Sequence, residues 1–112
     1  MGEIIKSGRG VLIDLTNCVE LTSKEQLSKL PTYDPNNDES NPTVLMKLLG
    51  TKLPWEWYLM QNVGDDIYFA LVKGYVVEAG DVSYDQLIDA GCYIDNSFTP
   101  IKFDDLHDKL EE

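Results

Sequence analysis

The sequence predicts an α+β domain: a mainly antiparallel β-meander of about five strands, with two or three short helices packed on it. Three observations point there. Residues 43–77 form a near-continuous apolar and aromatic series, broken at short intervals by Gly50-Thr51-Lys52-Leu53-Pro54, Asn62-Val63-Gly64-Asp65 and Gly74, which is the pattern of strands joined by tight turns. Capping-box spacings, Thr22 with Glu25 or Ser23 with Gln26 and then Ser83 with Gln86, open two short helical segments at 23–30 and 84–90. A chain of 112 residues suits one domain over 1–112 with a single core.

Taken in order, residues 1–10 are polar and contain Gly8-Arg9-Gly10. No third glycine and no Gly-Lys-Ser/Thr ending follow, so a phosphate loop is excluded. Residues 11–15 alternate, with Val11, Ile13 and Leu15 on one side and Leu12 and Asp14 on the other, and are expected as a strand at a sheet edge. In the helix at 23–30, Leu27 and Leu30 supply the buried stripe and Pro31 stops it. Residues 31–42 read as an acidic irregular loop. Asp34, Asn36 and Asp38 have the alternate spacing of calcium ligands, but Glu39 stands at the glycine position and Leu45 where a bidentate glutamate belongs. No metal is expected there.

Within the meander, strands at 43–49, 55–61, 66–73 and 75–77 have readable faces. Trp55, Trp57 and Leu59 share one side of the second, opposite Glu56, Tyr58 and Met60; Ile67, Phe69 and Leu71 lie opposite Tyr68, Ala70 and Val72 in the third. Both faces are apolar, so one carries the main core and the other is covered by helices or by the N-terminal segment. The two tryptophans read either as core or as a platform for a partner. Residues 78–82 lead into the second helix, where Leu87 and Ile88 face inward and Gly91 takes the left-handed stop position. Asp85 and Asp89 share a helix face near Asp81. Residues 92–94 and 98–101 are short extended pieces, and 104–112 is expected as a frayed helical turn or two.

Charge separates the function classes. Twenty acidic residues against nine basic ones give a net charge of −11. Residues 1–60 hold eight acids and six bases, whereas residues 61–112 hold twelve acids and three bases. Such a surplus repels nucleic-acid phosphates and anionic membranes, and its counterpart is a basic protein surface. The N-terminal Met1-Gly2-Glu3-Ile4-Ile5-Lys6 lacks a signal-peptide core, and Lys6 stands where an acylation motif wants Ser or Thr, so a cytoplasmic location is expected.

Reactive groups are sparse. Cys18, Cys92 and the single histidine His107 make no zinc set, and the cysteines are expected free and packed. As an enzyme, a small hydrolase with a carboxylate-based site would draw on Glu56, Asp66 or Asp85, or on Cys92 with His107 as a nucleophile pair. No cofactor is implied.

The order of Leu21-Thr22 with Leu30-Pro31, Asn41-Pro42-Thr43-Val44, Trp55-Glu56-Trp57-Tyr58, Asp65-Asp66-Ile67-Tyr68-Phe69-Ala70-Leu71-Val72, Gly80-Asp81-Val82-Ser83 and Phe98-Thr99-Pro100 resembles an uncharacterised bacterial family of plasmids and mobile elements, the domain of unknown function twenty-nine fifty-eight. The resemblance covers residues 20–107, leaving 1–20 as an N-terminal extension with an edge strand. Family members usually carry an aromatic residue where Asp81 stands and a glycine where Ala70 stands. The resemblance implies a setting, mobile DNA, and carries no functional residue across.

The reading that results is a non-catalytic acidic protein-binding module. It docks on a basic surface of a host DNA-handling or defence protein, as an inhibitor or nucleic-acid mimic, and is itself a monomer or homodimer. Candidate contact residues are Asp65, Asp66, Glu78, Asp81, Asp85 and Asp89 with Trp55 and Trp57. A carboxylate-based enzyme and a structural homo-oligomer are the alternatives.

Overall fold

Alternating apolar residues commit the middle of the chain to a sheet whose two faces are both buried. The computed structural model describes residues 4–6, 12–37 and 40–111. Gly8-Arg9-Gly10, Val11, Asp38 and Glu39, the Met1-Gly2-Glu3 start and the last residue, Glu112, lie outside them. The strands are β1 (Ile4–Lys6), β2 (Leu12–Asp14), β3 (Cys18–Glu20), β4 (Thr43–Val44), β5 (Met46–Gly50), β6 (Glu56–Gly64), β7 (Ile67–Lys73), β8 (Val77–Ser83), β9 (Cys92–Asp95) and β10 (Ile101–Lys102). The helices are α1 (Tyr84–Asp89) and α2 (Phe103–Glu111), with 3-10 turns at Lys24–Leu27 and Pro35–Asn37. An antiparallel six-stranded sheet runs β3-β9-β5-β6-β7-β8, and β1-β2 and β4-β10 form separate two-stranded ladders. The fold is therefore α+β, as the sequence predicts. No helix among the described residues is long and apolar enough to cross a membrane.

The face assignment read from alternation holds. Trp57, Leu59, Tyr68, Ala70, Leu48 and Ile94 belong to one buried cluster, covered by Leu21, Leu27 and Leu30, by Leu87 of α1 and by Ala90 just after it. Tyr58, Met60, Leu71 and Val44 belong to a second, capped by Leu106 of α2 with Phe103 and Leu110 beside it. Because β8 is an edge strand while β9 lies beyond β5, the segment carrying α1 has to cross the first face to reach it. That crossing, forced by topology, brings α1 over the main core.

Five sequence expectations are corrected. Residues 12–14 do not join the sheet edge; they pair with β1, and Cys18–Glu20 takes the edge after a turn in which Asn17 adopts φ 65° and the Asp14 carboxylate accepts the Thr16 amide. The helix at 23–30 is only a 3-10 turn: the amides of Gln26, Ser28 and Leu30 donate to the carbonyls three residues back, and Pro31 leaves no room for a longer run. The strand expected at 75–77 is instead a hairpin loop over 74–76, and β8 starts at Val77 and runs on through Glu78-Ala79-Gly80-Asp81-Val82; pairing with β7 overrides their weak strand preference. Of residues 98–101 only Ile101 enters a strand, β10. The C-terminal segment is not frayed, because Leu106 is buried and Asn41 accepts the Asp104 amide through its side chain at 2.9 Å, capping α2 from across the fold.

Candidate functional site

Cross-strand partners share a face, so β7 fixes where each β8 side chain points. Glu78 pairs with Val72, Gly80 with Ala70 and Val82 with Tyr68, all on the face of the main core. Asp81 pairs with Phe69 and takes the opposite face. Beside Glu78, Gly80 and Val82, a groove of about 470 Å³ opens between β8 and α1, with Trp55, Trp57 and Leu53 as one wall and Gln86, Asp89 and Ala90 as the other. Glycine at position 80 keeps the groove open: a Cβ there would find no atom within 4 Å.

The tryptophans owe their placement to their neighbours. Trp57 is buried at 5% exposure, and Trp55 packs partly buried against the same cluster, with ring centroids 6.2 Å apart and planes 38° apart. Tyr75, on the exposed hairpin tip, meets Trp55 edge-on at 5.4 Å. The rings pack on the core and also form the groove wall. α1 is positioned by its capping box, in which the Ser83 hydroxyl accepts the Gln86 amide at 3.0 Å and the Gln86 side chain accepts the Ser83 amide at 2.8 Å. Gly91 ends it at φ 68°.

Of the eight candidate contact residues, Trp55, Trp57, Glu78 and Asp89 line this one groove, and Asp81 borders it with its side chain on the opposite face. Asp65, Asp66 and Asp85 do not. Asp65 and Asp66 form the two-residue turn between β6 and β7, with φ 54° and 59°, the positive values that a type I′ hairpin turn demands. Asp66 holds Lys24 in an exposed ion pair at 2.5 Å, which raises the lysine's pKa, and Asp85 adds to the same field. Glu78, Asp81 and Asp89 have no ion-pair partner among the described residues. Lys73, the base nearest to Glu78 in sequence, pairs with Glu56 in the ladder, on the other face of the sheet.

Of the candidate reactive groups, Asp66 and Asp85 both lie near Lys24, whereas Cys92 and His107 do not meet. Glu56 accepts the Tyr58 hydroxyl, and burial together with that carboxylate pushes the phenol's pKa up. Cys92 lies in the main core, where burial drives its thiol up to about 12. His107 stacks on Phe103 within α2, against the opposite face. The sheet therefore separates the proposed nucleophile from its base. Among the described residues no three His, Cys, Asp or Glu side chains gather as metal ligands.

Gly80, Gln86 and Ala90 escape notice in the sequence because nothing local marks them as groove residues; the one available signal was a glycine inside an otherwise extended stretch. In comparisons with protein-family models, curated proteins and solved structures, nothing matches the chain.

Proposed function

We propose that the protein is a non-catalytic acidic module that docks on a basic surface of another protein, with the groove between β8 and α1 at the centre of the contact. The observation that carries this reading is one groove combining an aromatic wall, Trp55 and Trp57, with Glu78 and Asp89, which lack a cation among the described residues. A lysine or arginine entering there meets carboxylates for charge-assisted hydrogen bonds and ring faces for cation–π contact. The net charge of −11 adds long-range steering toward a basic partner and repulsion of nucleic acid.

In the mobile-element setting that the resemblance implies, the partner is a host DNA-handling or defence protein, whose nucleic-acid channel the acidic surface occupies by mimicry. The chain meets it in the cytoplasm, as a monomer or homodimer. The test is co-purification with the native chain and with a variant carrying Asp81→Lys, Asp85→Lys and Asp89→Lys. Recovery of basic, nucleic-acid-binding proteins that is lost in the variant and weakens with salt supports the reading; recovery of no such protein counts against it.

A further inference from the structure

β8 closes one side of the six-stranded sheet, is seven residues long, and pairs only with β7 among the described residues. Which of its backbone groups face outward follows from the ladder. The Tyr84 amide donates to the Asp66 carbonyl at 2.9 Å, one step beyond the pair of Ile67 with Ser83, so the residues of that pair do not exchange hydrogen bonds. The register continues without a bulge to Lys73 and Val77. Alternation then turns the amides and carbonyls of Val77, Ala79 and Asp81 outward and those of Glu78, Gly80 and Val82 inward to β7. Ser83 has the outward phase too, and its amide is the one that the Gln86 side chain satisfies at 2.8 Å.

Cavities flank this free edge on both faces. The tryptophan-walled groove lies beside Glu78 and Gly80. On the other face a cavity of about 350 Å³ is lined by Tyr33, Phe69, Phe103 and Asp81. Side chains of a strand added to β8 would alternate between these two faces.

We propose that β8 is an acceptor edge: an extended segment of a partner, bearing lysine or arginine, pairs with Val77, Ala79 and Asp81 and sends alternate side chains into the two cavities. This rests on the binding-module reading and gives it a geometry. Charge decides the occupant. A second copy would bring the same net charge of −11 to this edge and leave Glu78 and Asp81 without a counter-ion, and like-charged chains repel. A basic strand neutralises them instead.

The test uses the full chain, labelled with ¹⁵N, and a peptide of alternating lysine and threonine about eight residues long, enough to cover the strand. A control peptide carries N-methyl groups at alternate backbone nitrogens, keeping the charge and removing strand donors. The expected result is that binding slows exchange of the Ala79 and Asp81 amides and falls about tenfold or more on N-methylation, the loss of one or more hydrogen bonds. Ala79→Pro removes an outward donor and leaves the β7 ladder intact, so it should bind as weakly as the N-methylated control while unfolding at the native temperature. Equal binding of both peptides, with shifts spread over the acidic surface, overturns strand addition and leaves the binding-module reading standing. No binding of either peptide at low salt overturns both. Slowed exchange at Ala79 that grows with protein concentration alone makes a second copy the occupant and overturns the choice of a basic one.

Discussion

The Trp55 indole lies directly on the backbone of Gly74, so close that a Cβ at residue 74 would fall 2.8 Å from its ring atoms. Only a residue without a side chain lets the hairpin tip fold back onto that ring. Gly74→Ala should therefore tilt Trp55 out of the groove wall, at a cost of about 1–3 kcal/mol from forced repacking. A red-shifted tryptophan emission together with a lower urea midpoint would verify this; an unchanged spectrum would refute it.

Gly80 presents the opposite case, since a side chain there meets open space. Gly80→Val should leave stability unchanged or raise it by about 0.5–1 kcal/mol, because glycine weakens a strand interior. It should also fill the groove and abolish binding of a lysine-rich peptide. Thermal unfolding and peptide titration on the same variant separate the two effects, and a stable variant that still binds would show that the groove is not used.

These two glycines show how far the sequence could be read. Alternation placed Trp57 and Tyr58 on opposite faces, and Ser83, Gln86 and Gly91 located α1 almost to the residue. What local pattern misses is set by distant partners. Asn41 caps α2 from 63 residues away, β7 makes a strand of Glu78-Ala79-Gly80-Asp81, and the crossing of α1 creates a groove that no short motif encodes. Asp65 and Asp66 also take the left-handed backbone of the β6–β7 turn, a role that the sequence, which shows them only as two acids, does not separate from a contact patch.

The capping of α2 makes a prediction about the second core face. Asn41→Ala should cost about 1 kcal/mol, the usual loss on removing a helix cap, and Leu106→Ala, fully within that cluster, about 2–5 kcal/mol. Urea denaturation measures both. A smaller loss for Leu106→Ala than for Asn41→Ala would mean that α2 contributes little to covering the sheet.

Cys92 predicts a pH dependence. Its thiol has an ordinary value of 9.0 and burial raises it to about 12 in the folded chain, so the neutral form is favoured by folding. The contribution is fully present below pH 9 and is lost as pH rises from 9 toward 12, at up to about 1.4 kcal/mol per pH unit for one proton. Cys92→Ala should flatten that part of the curve of unfolding free energy against pH. A slope identical in the native and variant proteins would contradict the assignment.

The most direct test of the central claim is calorimetric titration of a lysine-rich peptide into the native chain and into a variant with Glu78→Lys and Asp89→Lys, at low and at physiological salt. Binding by the native chain should weaken as salt rises and be lost in the variant. Undiminished binding by the variant, or none by the native chain at low salt, would contradict the claim.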